Sequence, residues 1–380
     1  MVQNCWHIQD ETGFLMNPAP VTDLTKIDTP IAAESVDQIQ MVADNIPQLI
    51  HTHRLREALQ TLPVVQMTPL QGCSDFRIVE RFFQIYAHFA NGFIWCEQDD
   101  PMNYLPKSVA VPFVQLGHLV DRPPIVPYAM TALSNYQKVD PKGQLEADNM
   151  RVVQKMIDTP DESWFHLIHV EIEGRAAKAI AQIGKITQAI DQHELPQTEA
   201  GLAVIAETFD GMMTTFRRMP EQCRPERYFH TLRPYLFGFN DIVYEGVAEF
   251  EGKPQTLHGE TGAQSSIIPA LKSFLGLEHS HGGLTEYLEI MKRYMPKPHR
   301  EFLAQIDAQK LRQFIISQNE PNLKEVYNLC LKKMVAFRSQ HLNFANAYIA
   351  SKVENPKGTG GTDFMRWLTQ LRDETAVQLL

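Results

Sequence analysis

Helical periodicity is the feature that most constrains this chain. Between residues 170 and 190, apolar residues recur at steps of mostly three or four, the spacing of one buried face on a long helix (Val170, Ala176, Ala179, Ile180, Ile183, Ile186, Ile190). The same spacing predicts a helix from Leu323 to about Lys352. A last helix follows Thr362 or Asp363, either of which is a suitable N-cap. Strand patterns are sparse, so the sequence predicts an all-α fold.

Length and composition predict two domains. With 380 residues the chain exceeds the usual size of one domain, and 44% hydrophobic with 21% charged residues is ordinary for a globular protein. Proline-bearing and polar stretches interrupt the first 150 residues, whereas the helices become longer after about residue 157. We therefore expect a smaller, mainly helical N-terminal domain over residues 1–156, which caps a larger helical domain over residues 157–380.

Charge and cysteine content argue against several classes of protein. A net charge of −10 and a pI of about 5.8, without a basic stripe, argue against a nucleic-acid-binding surface. The sequence contains no run of about 18 apolar residues, the length that a membrane-spanning helix needs. The start MVQNCWHIQDETGF lacks the features of a signal peptide. Five scattered cysteines fit free thiols in a reducing compartment. We expect a cytoplasmic protein that binds no membrane, and we expect a monomer.

The segment FRSQHLNFANAYI, residues 337–349, carries two polar side chains on an otherwise apolar helix face. Arg338 lies three residues before His341, and Phe344 and Ala345 share the face at helical spacing. One interpretation is a core histidine that has found a hydrogen bond, and spacing alone favours it. The other is a histidine that binds the metal of a flat apolar cofactor such as haem, with Arg338 pairing with a carboxylate at the cofactor's edge.

Other histidines and glycines form weaker patterns. The sequence HSHGG places His279 and His281 two residues apart, but no carboxylate or cysteine pattern completes a metal site, so a surface turn is favoured. No GxGxxG, P-loop, GxSxG, HExxH or CxxC motif is present. Two glycine-bearing loops, residues 250–266 and 355–363, are compatible with flexible linkers or with turns that contact a ligand.

Several longer motifs indicate a family. The stretches DIVYEGV, GAQSS, RYMPKPHREFL, AFRSQHLNFANAYI and KGTGGTDFMRWL follow one another along the second half of the chain. In this order and approximate spacing they resemble the haem-containing indoleamine 2,3-dioxygenase family, and the resemblance extends over residues 100–380. It implies a large all-helical domain that holds haem b and a small domain that caps the substrate side.

The resemblance also implies which residues hold the cofactor. The histidine of the family's RSxHL pattern is the axial ligand of the iron, which here is His341. The arginine of that pattern, Arg338, is similar to the one that pairs with a haem propionate. The loop HGETGAQSS resembles the small-residue loop at the haem edge, which gives Thr261, Gly262 and Ala263.

The segment RYFHTLRPY resembles the family's substrate pocket. By that resemblance Tyr228, in place of the usual phenylalanine, and Phe229 pack over the substrate, and Arg233 binds the substrate carboxylate. Phe229 and Arg233 are four residues apart, so they share a helix face. From spacing alone, however, Arg233 is expected to reach solvent or to pair with a carboxylate such as Glu226 or Asp241.

Further pocket positions follow from two segments and a loop that resemble the family. PPIVPYAMTALSNY resembles the wall contributed by the small domain and gives Tyr128, Thr131 and Ala132. SWFHLIHVEIEG resembles the start of a pocket helix, with Trp164 as its aromatic residue. Thr359 in KGTGG resembles the threonine of the loop that closes over the substrate.

The resemblance implies an oxidoreductase of tryptophan catabolism in the kynurenine pathway. Dioxygen and L-tryptophan, or a close indole derivative, meet on the haem face opposite His341, and cleavage of the indole C2–C3 bond gives N-formylkynurenine. Two alternatives remain open: a related haem enzyme acting on a modified tryptophan, and a non-catalytic oxygen-binding haemoprotein on the same scaffold. Arg233 and the KGTGGTD loop favour an enzyme, because oxygen storage needs no carboxylate clamp.

Overall fold

Helices dominate the computed structural model, which describes residues 5–354, 356–359 and 361–380, and the fold is all-α as predicted. The first four residues of the chain and two positions of the glycine loop, 355 and 360, lie outside the described residues. The helices are Ala33–Asp44 (α1), Ile46–His51 (α2), Leu55–Thr61 (α3), Phe76–Trp95 (α4), Lys107–Val120 (α5), Pro160–Asp191 (α6), Leu195–Arg217 (α7), Pro225–Arg227 (α8), Ile267–Phe274 (α9), Gly283–Lys292 (α10), Lys297–Gln305 (α11), Lys310–Gln318 (α12), Pro321–Tyr348 (α13) and Phe364–Ala376 (α14).

The strands are short and form two small sheets. They are Tyr104–Leu105 (β1), Gln137–Lys138 (β2), Met150–Arg151 (β3), Phe239–Tyr244 (β4) and Gln255–Leu257 (β5). β4 lies between β1, to which it is parallel, and β5, to which it is antiparallel, while β2 and β3 pair antiparallel. Because β1 precedes residue 156 and β4 follows it, this sheet joins the two regions that the sequence divides into domains.

The long helices begin and end where their sequences favour it. The side chain of Thr159 accepts a hydrogen bond from the Glu162 amide and caps α6, with a proline at the first helical position. α13 ends at Tyr348, four residues before the predicted Lys352, because Ile349 leaves helical geometry and a short 3₁₀ turn follows. Asp363, one of the two predicted caps, accepts from the Arg366 amide and starts α14.

Four helices that follow residue 156 form the framework of the site. α6 packs along α7, α7 packs on α13, and α13 packs on α14. The N-terminal half contributes α4, whose side chains are buried over almost the whole helix. Asn91 of α4 donates to the Tyr235 and Phe237 carbonyl oxygens and thereby connects this half to the segment after α8.

Two predictions from composition are consistent with the structure. All five cysteines are free, which confirms that the chain has no disulfide framework. None of the helices in the described part of the chain is both long and apolar enough to cross a bilayer.

Candidate active site

A cavity of about 900 Å³ lies between α6, α7, α13 and α14, with α9, α10 and the loop before α9 along its sides. Its volume is at the upper end of the range usual for small-molecule and cofactor sites. The wall is mainly apolar and rich in aromatic rings (Phe165, Phe216, Tyr228, Phe337, Phe344, Tyr348, Trp367). A cavity with such a wall favours a large, flat, apolar ligand.

Several of these rings contact one another and form a continuous surface. Phe216 stacks on Phe344 with centroids 4.5 Å apart, and Phe165 lies 4.7 Å from Tyr228. Tyr228 in turn contacts Tyr348 edge-on at 5.8 Å. The surface thus joins α6, α7 and α13 through the π-helical turn Tyr228–Leu232 that follows α8. Mutual packing of this kind fixes the rings and keeps the cavity preformed.

His341 projects from α13 into this cavity. Its ring lies 6.0 Å from that of Phe216, and within the described residues it makes no hydrogen bond. Burial, and then the nearby His169 and Arg338, lower the pKa of His341 to about 4, so the imidazole is neutral at pH 7. The structure therefore does not show the hydrogen-bonded core histidine of the first interpretation, but a neutral imidazole free to ligate a metal.

A metal at His341 has to bring its other ligands with it. Among the residues that the structure describes, no group of three or more His, Cys, Asp or Glu side chains is arranged to hold a metal ion. Haem would bring the other ligands of its iron with it and would need one imidazole from the protein. The neutral imidazole of His341 and the apolar, aromatic cavity therefore fit haem, and the described residues do not fit a metal ion held by protein side chains alone.

Cationic groups lie beside His341. Arg338 is 6% exposed and borders the cavity, yet it already donates to the Leu371 carbonyl oxygen and, at 2.8 Å, to the Thr375 hydroxyl. It thereby fastens α14 to α13. Burial lowers the pKa of Arg338 to about 10, so it keeps its charge at pH 7. Lys272 also lines the cavity and, among the described residues, has no carboxylate within 4 Å. Both cations suit acidic groups at a cofactor's edge.

The surface turn predicted for His279 is wrong. Its side chain is 4% exposed, and its Nδ1 lies 2.9 Å from a Glu374 carboxylate oxygen. Its Nε2 lies 3.4 Å from the Arg338 guanidinium. The reason is tertiary: α14 folds back over the HSHGG segment, and sequence spacing contains no information about that contact.

The loop before α9 forms another wall. Thr261 accepts from the Ala263 amide at 3.4 Å and starts a 3₁₀ turn that presents Gly262 and Ala263 to the cavity. A Cβ atom added at Gly262 meets no atom within 4 Å, so the space in front of it is open to a ligand. Thr359 also lines the cavity, and its hydroxyl donates to the backbone carbonyl of Glu260. These four predicted residues are therefore brought together.

Arg233 lies one layer behind the cavity wall. It is 7% exposed, donates from Nη2 to the Lys357 carbonyl oxygen, and its Nε has no hydrogen-bond partner among the described residues. Its guanidinium lies over the rings of Phe229 and Phe237, at 5.3 and 4.9 Å from their centroids. Within the described residues no carboxylate lies within 4 Å of it. The structure thus shows neither a solvent-exposed arginine nor an ion pair, and the chemistry of this cation suits an incoming carboxylate.

Two residues of the N-terminal half support the same wall from behind. The Tyr128 amide donates to Gln264 at 2.8 Å, and its ring lies 6.0 Å from that of His169. Thr131 is buried, and its hydroxyl lies 3.2 Å from the Tyr128 carbonyl oxygen and 3.4 Å from a Glu260 carboxylate oxygen, to either of which it can donate. Neither side chain lines the cavity itself.

Trp164 does not line the cavity. Its indole Nε1 donates to the Arg218 carbonyl oxygen at 2.9 Å, and the Arg218 guanidinium lies over its ring. The next residue on α6, Phe165, faces the cavity together with His169, one turn later. Sequence reasoning missed both, although an aromatic residue and a histidine at i, i+4 spacing carry the same signal that identified His341.

His169 offers a hydrogen-bonding group to a ligand. Its Nδ1 lies 2.7 Å from the Phe165 carbonyl oxygen, which can only accept, so Nδ1 carries the proton. Burial lowers the pKa of His169, so the ring is neutral at pH 7. The remaining nitrogen, Nε2, can accept a hydrogen bond from a ligand in the cavity. A third missed residue, Glu260, places a carboxyl group on the cavity wall.

Comparison with known proteins adds independent information. Residues 2–378 match the family described as indoleamine 2,3-dioxygenase. Indoleamine 2,3-dioxygenase 1 of Rattus norvegicus is 32% identical over 406 residues, covering 99% of this chain and 95% of the relative. Indoleamine 2,3-dioxygenase 2 of Homo sapiens is 28% identical over 99% of this chain and 95% of the relative. A myoglobin of Haliotis madaka is 24% identical over 97% of both chains.

Proposed function

Because the chain belongs to the indoleamine 2,3-dioxygenase family of haem-dependent oxidoreductases, we propose that it binds haem b and uses dioxygen to cleave the indole C2–C3 bond of L-tryptophan, or of a close indole derivative. From L-tryptophan the product is N-formylkynurenine. The observation that carries the proposal is His341, a neutral imidazole at a large aromatic cavity that forms no hydrogen bond within the described part of the chain. The free thiols support action in the reducing cytoplasm, and we propose a monomer.

The residues around His341 hold the cofactor. His341 ligates the iron, and bound haem supplies the centre at which dioxygen is activated. Arg338 pairs with a propionate, and its bonds to α14 keep its guanidinium in place. Thr261, Gly262 and Ala263 border the ring edge, where the small side chains leave room for the macrocycle.

Contacts with the indole ring and with the amino-acid group orient the substrate. Tyr228 and Phe165 pack against the indole from the cavity wall, with Phe229 behind them against the Arg233 guanidinium. Arg233 binds the carboxylate through donors that have no partner among the described residues. Thr359 contacts the amino-acid end from the loop that follows α13. This arrangement fixes the indole in one position relative to the oxidant, and the aromatic wall keeps bulk water away from the reacting bond.

A steady-state assay with L-tryptophan, ascorbate and methylene blue tests the proposal. We expect N-formylkynurenine, and with ¹⁸O₂ we expect both of its added oxygen atoms to carry the label. Turnover of ring-substituted tryptophans with little turnover of L-tryptophan would favour the related enzyme that acts on a modified substrate. Reversible oxygen binding without any indole product would refute the dioxygenase proposal and would favour an oxygen carrier, as the name of the Haliotis madaka relative suggests for that protein.

A further inference from the structure

Glu260 is a buried carboxyl group on the cavity wall that the assignments above leave without a role. It is 6% exposed and lines the cavity beside Thr261. Its backbone is held firmly, since the Glu260 amide donates to the Leu236 carbonyl oxygen at 3.0 Å and its carbonyl accepts from the Thr359 hydroxyl. These two hydrogen bonds fix the backbone from which the Glu260 side chain reaches the cavity wall.

Most other buried carboxyl groups of this protein are satisfied by its own side chains or backbone. Glu80 pairs with Arg122, Glu171 with Arg175, and Asp161 with Arg224, while Glu162 accepts from three backbone amides. Glu173 accepts from Ser265 at 2.6 Å and interacts with the Tyr128 hydroxyl. None of these five lines the cavity.

Glu260 differs from them in combining a place on the cavity wall with the absence of a cationic partner among the described residues. Within the described residues no Lys, Arg or His nitrogen lies within 4 Å of its carboxyl group, which receives one long hydrogen bond of 3.4 Å from Thr131. Burial raises its pKa to about 7. Burying an ionised carboxylate is costly unless a cation neutralises it, so a cationic group that enters the cavity would be strongly favoured next to Glu260.

Glu260 and Arg233 lie at the same end of the site. Both act on the Tyr228 hydroxyl, where Glu260 raises the pKa and Arg233 lowers it, after the larger effect of burial. Both are also connected to one loop, because Arg233 donates to the Lys357 carbonyl oxygen and Thr359 donates to that of Glu260. Near Tyr228, therefore, the described part of the chain places a carboxyl group without a cationic partner on the cavity wall, and an arginine without an acidic partner behind that wall.

We propose that Glu260 is a specificity-determining residue that receives the ammonium group of the substrate. With Arg233 on the carboxylate, the site then recognises both charges of an α-amino acid zwitterion and discriminates against indoles that lack the ammonium. Thr131 holds the carboxyl group in position, and Thr359 fixes the backbone behind it. This inference rests on the proposed function, since it assigns a subsite of the same cavity.

Equilibrium binding to the haem-loaded protein tests the assignment. The ligands are L-tryptophan, tryptamine, which keeps the ammonium and lacks the carboxylate, and indole-3-propionate, which lacks the ammonium. In Glu260→Gln we expect L-tryptophan and tryptamine to bind at least about 30-fold more weakly, as for truncation of one partner in a buried charge pair. Indole-3-propionate should bind as well as to the wild type or better.

Two further variants make the test specific. Glu286→Gln neutralises an exposed carboxylate that borders the same cavity and should leave all three affinities unchanged. Glu260→Asp retains the charge on a shorter side chain and should recover part of the lost ammonium affinity. Unchanged melting temperatures would show that the variants fold.

Equal affinity of Glu260→Gln and the wild type for L-tryptophan and tryptamine would overturn the inference, as would equal losses for all three ligands. Failure of the proposed function gives a different result. If no N-formylkynurenine forms but ammonium ligands still depend on Glu260, the subsite stands and the dioxygenase assignment falls. If N-formylkynurenine forms at the wild-type rate and KM in Glu260→Gln, the subsite falls and the dioxygenase assignment stands.

Discussion

Replacing Arg233 by alanine separates an amino-acid dioxygenase from an oxygen carrier. Arg233 is a buried cation whose Nε has no partner, and its one hydrogen bond among the described residues goes to the Lys357 carbonyl oxygen. A guanidinium with free donors in a water-poor site binds a carboxylate through parallel, charge-assisted hydrogen bonds. An oxygen carrier has no use for that bond, whereas turnover of an amino acid depends on it.

The structure sets the size of the expected effect. Truncating one partner of a buried, hydrogen-bonded charge pair costs about 2–5 kcal/mol. Since about 1.4 kcal/mol corresponds to a factor of ten, kcat/KM for L-tryptophan should fall roughly 30- to 5,000-fold. The free energy of unfolding should change much less. Arg233→Ala also removes a buried charge that lacks an acidic partner, and this offsets the lost contacts with Lys357, Phe229 and Phe237.

The assay compares kcat/KM for L-tryptophan and for tryptamine, which lacks the carboxylate. Arg233→Ala should keep the haem spectrum and bind carbon monoxide nearly as the wild type does, and tryptamine, a poor substrate, should be affected much less than L-tryptophan. Arg227→Ala, which removes an exposed arginine from the same segment, should change neither value. Equal turnover of L-tryptophan by Arg233→Ala and the wild type would refute the carboxylate assignment, and so would equal losses for both substrates.

Three further predictions concern the framework of the site. Arg338→Ala should unfold more easily and release haem faster in a transfer assay, because the Leu371 carbonyl and the Thr375 hydroxyl lose a charged donor; an unchanged rate of haem loss would argue against propionate pairing. Gly259→Ala should lower the melting temperature and weaken substrate binding, because a Cβ atom would overlap the backbone of Leu236–Gly238; a wild-type melting curve would contradict this. Burial raises the pKa of Glu173 to about 7 from an ordinary value of 4.5, so the folded state holds the proton more tightly and the free energy of unfolding should decrease from pH 4.5 to pH 7. Chemical denaturation of Glu173→Gln should show a shallower decrease, and an identical slope would contradict the cause.

Local spacing predicted the part of the site that lies on one helix. Arg338 and His341 are three residues apart on α13, and both border the same cavity because residues at this spacing share a helix face. The same rule explains the placement of Trp164. One residue along a helix corresponds to a rotation of about 100°, so a one-residue difference directs Trp164 away from the cavity and Phe165 into it.

The part of the site built from distant segments was not accessible to such reasoning. Glu260 contacts Thr131 through its carboxyl group and Thr359 through its backbone carbonyl, and these residues lie about 130 and 100 positions away along the chain. His279 is buried because α14 returns over it and supplies Glu374. Neither contact has a periodic signature, so Glu260 looks like an ordinary loop residue and His279 like a residue of a solvated turn until the helices are packed.

The central claim is that His341 binds haem, and the absorption spectrum of the purified protein tests it most directly. The wild type should show a Soret band, and His341→Ala should lose it or retain a grossly weakened band, because the variant lacks the imidazole that would ligate the iron. His281→Ala, an exposed histidine at the rim of the same cavity, serves as the control and should keep the wild-type spectrum. Added imidazole should restore much of the band to His341→Ala. A normal Soret band and normal haem retention in His341→Ala without imidazole would contradict the account.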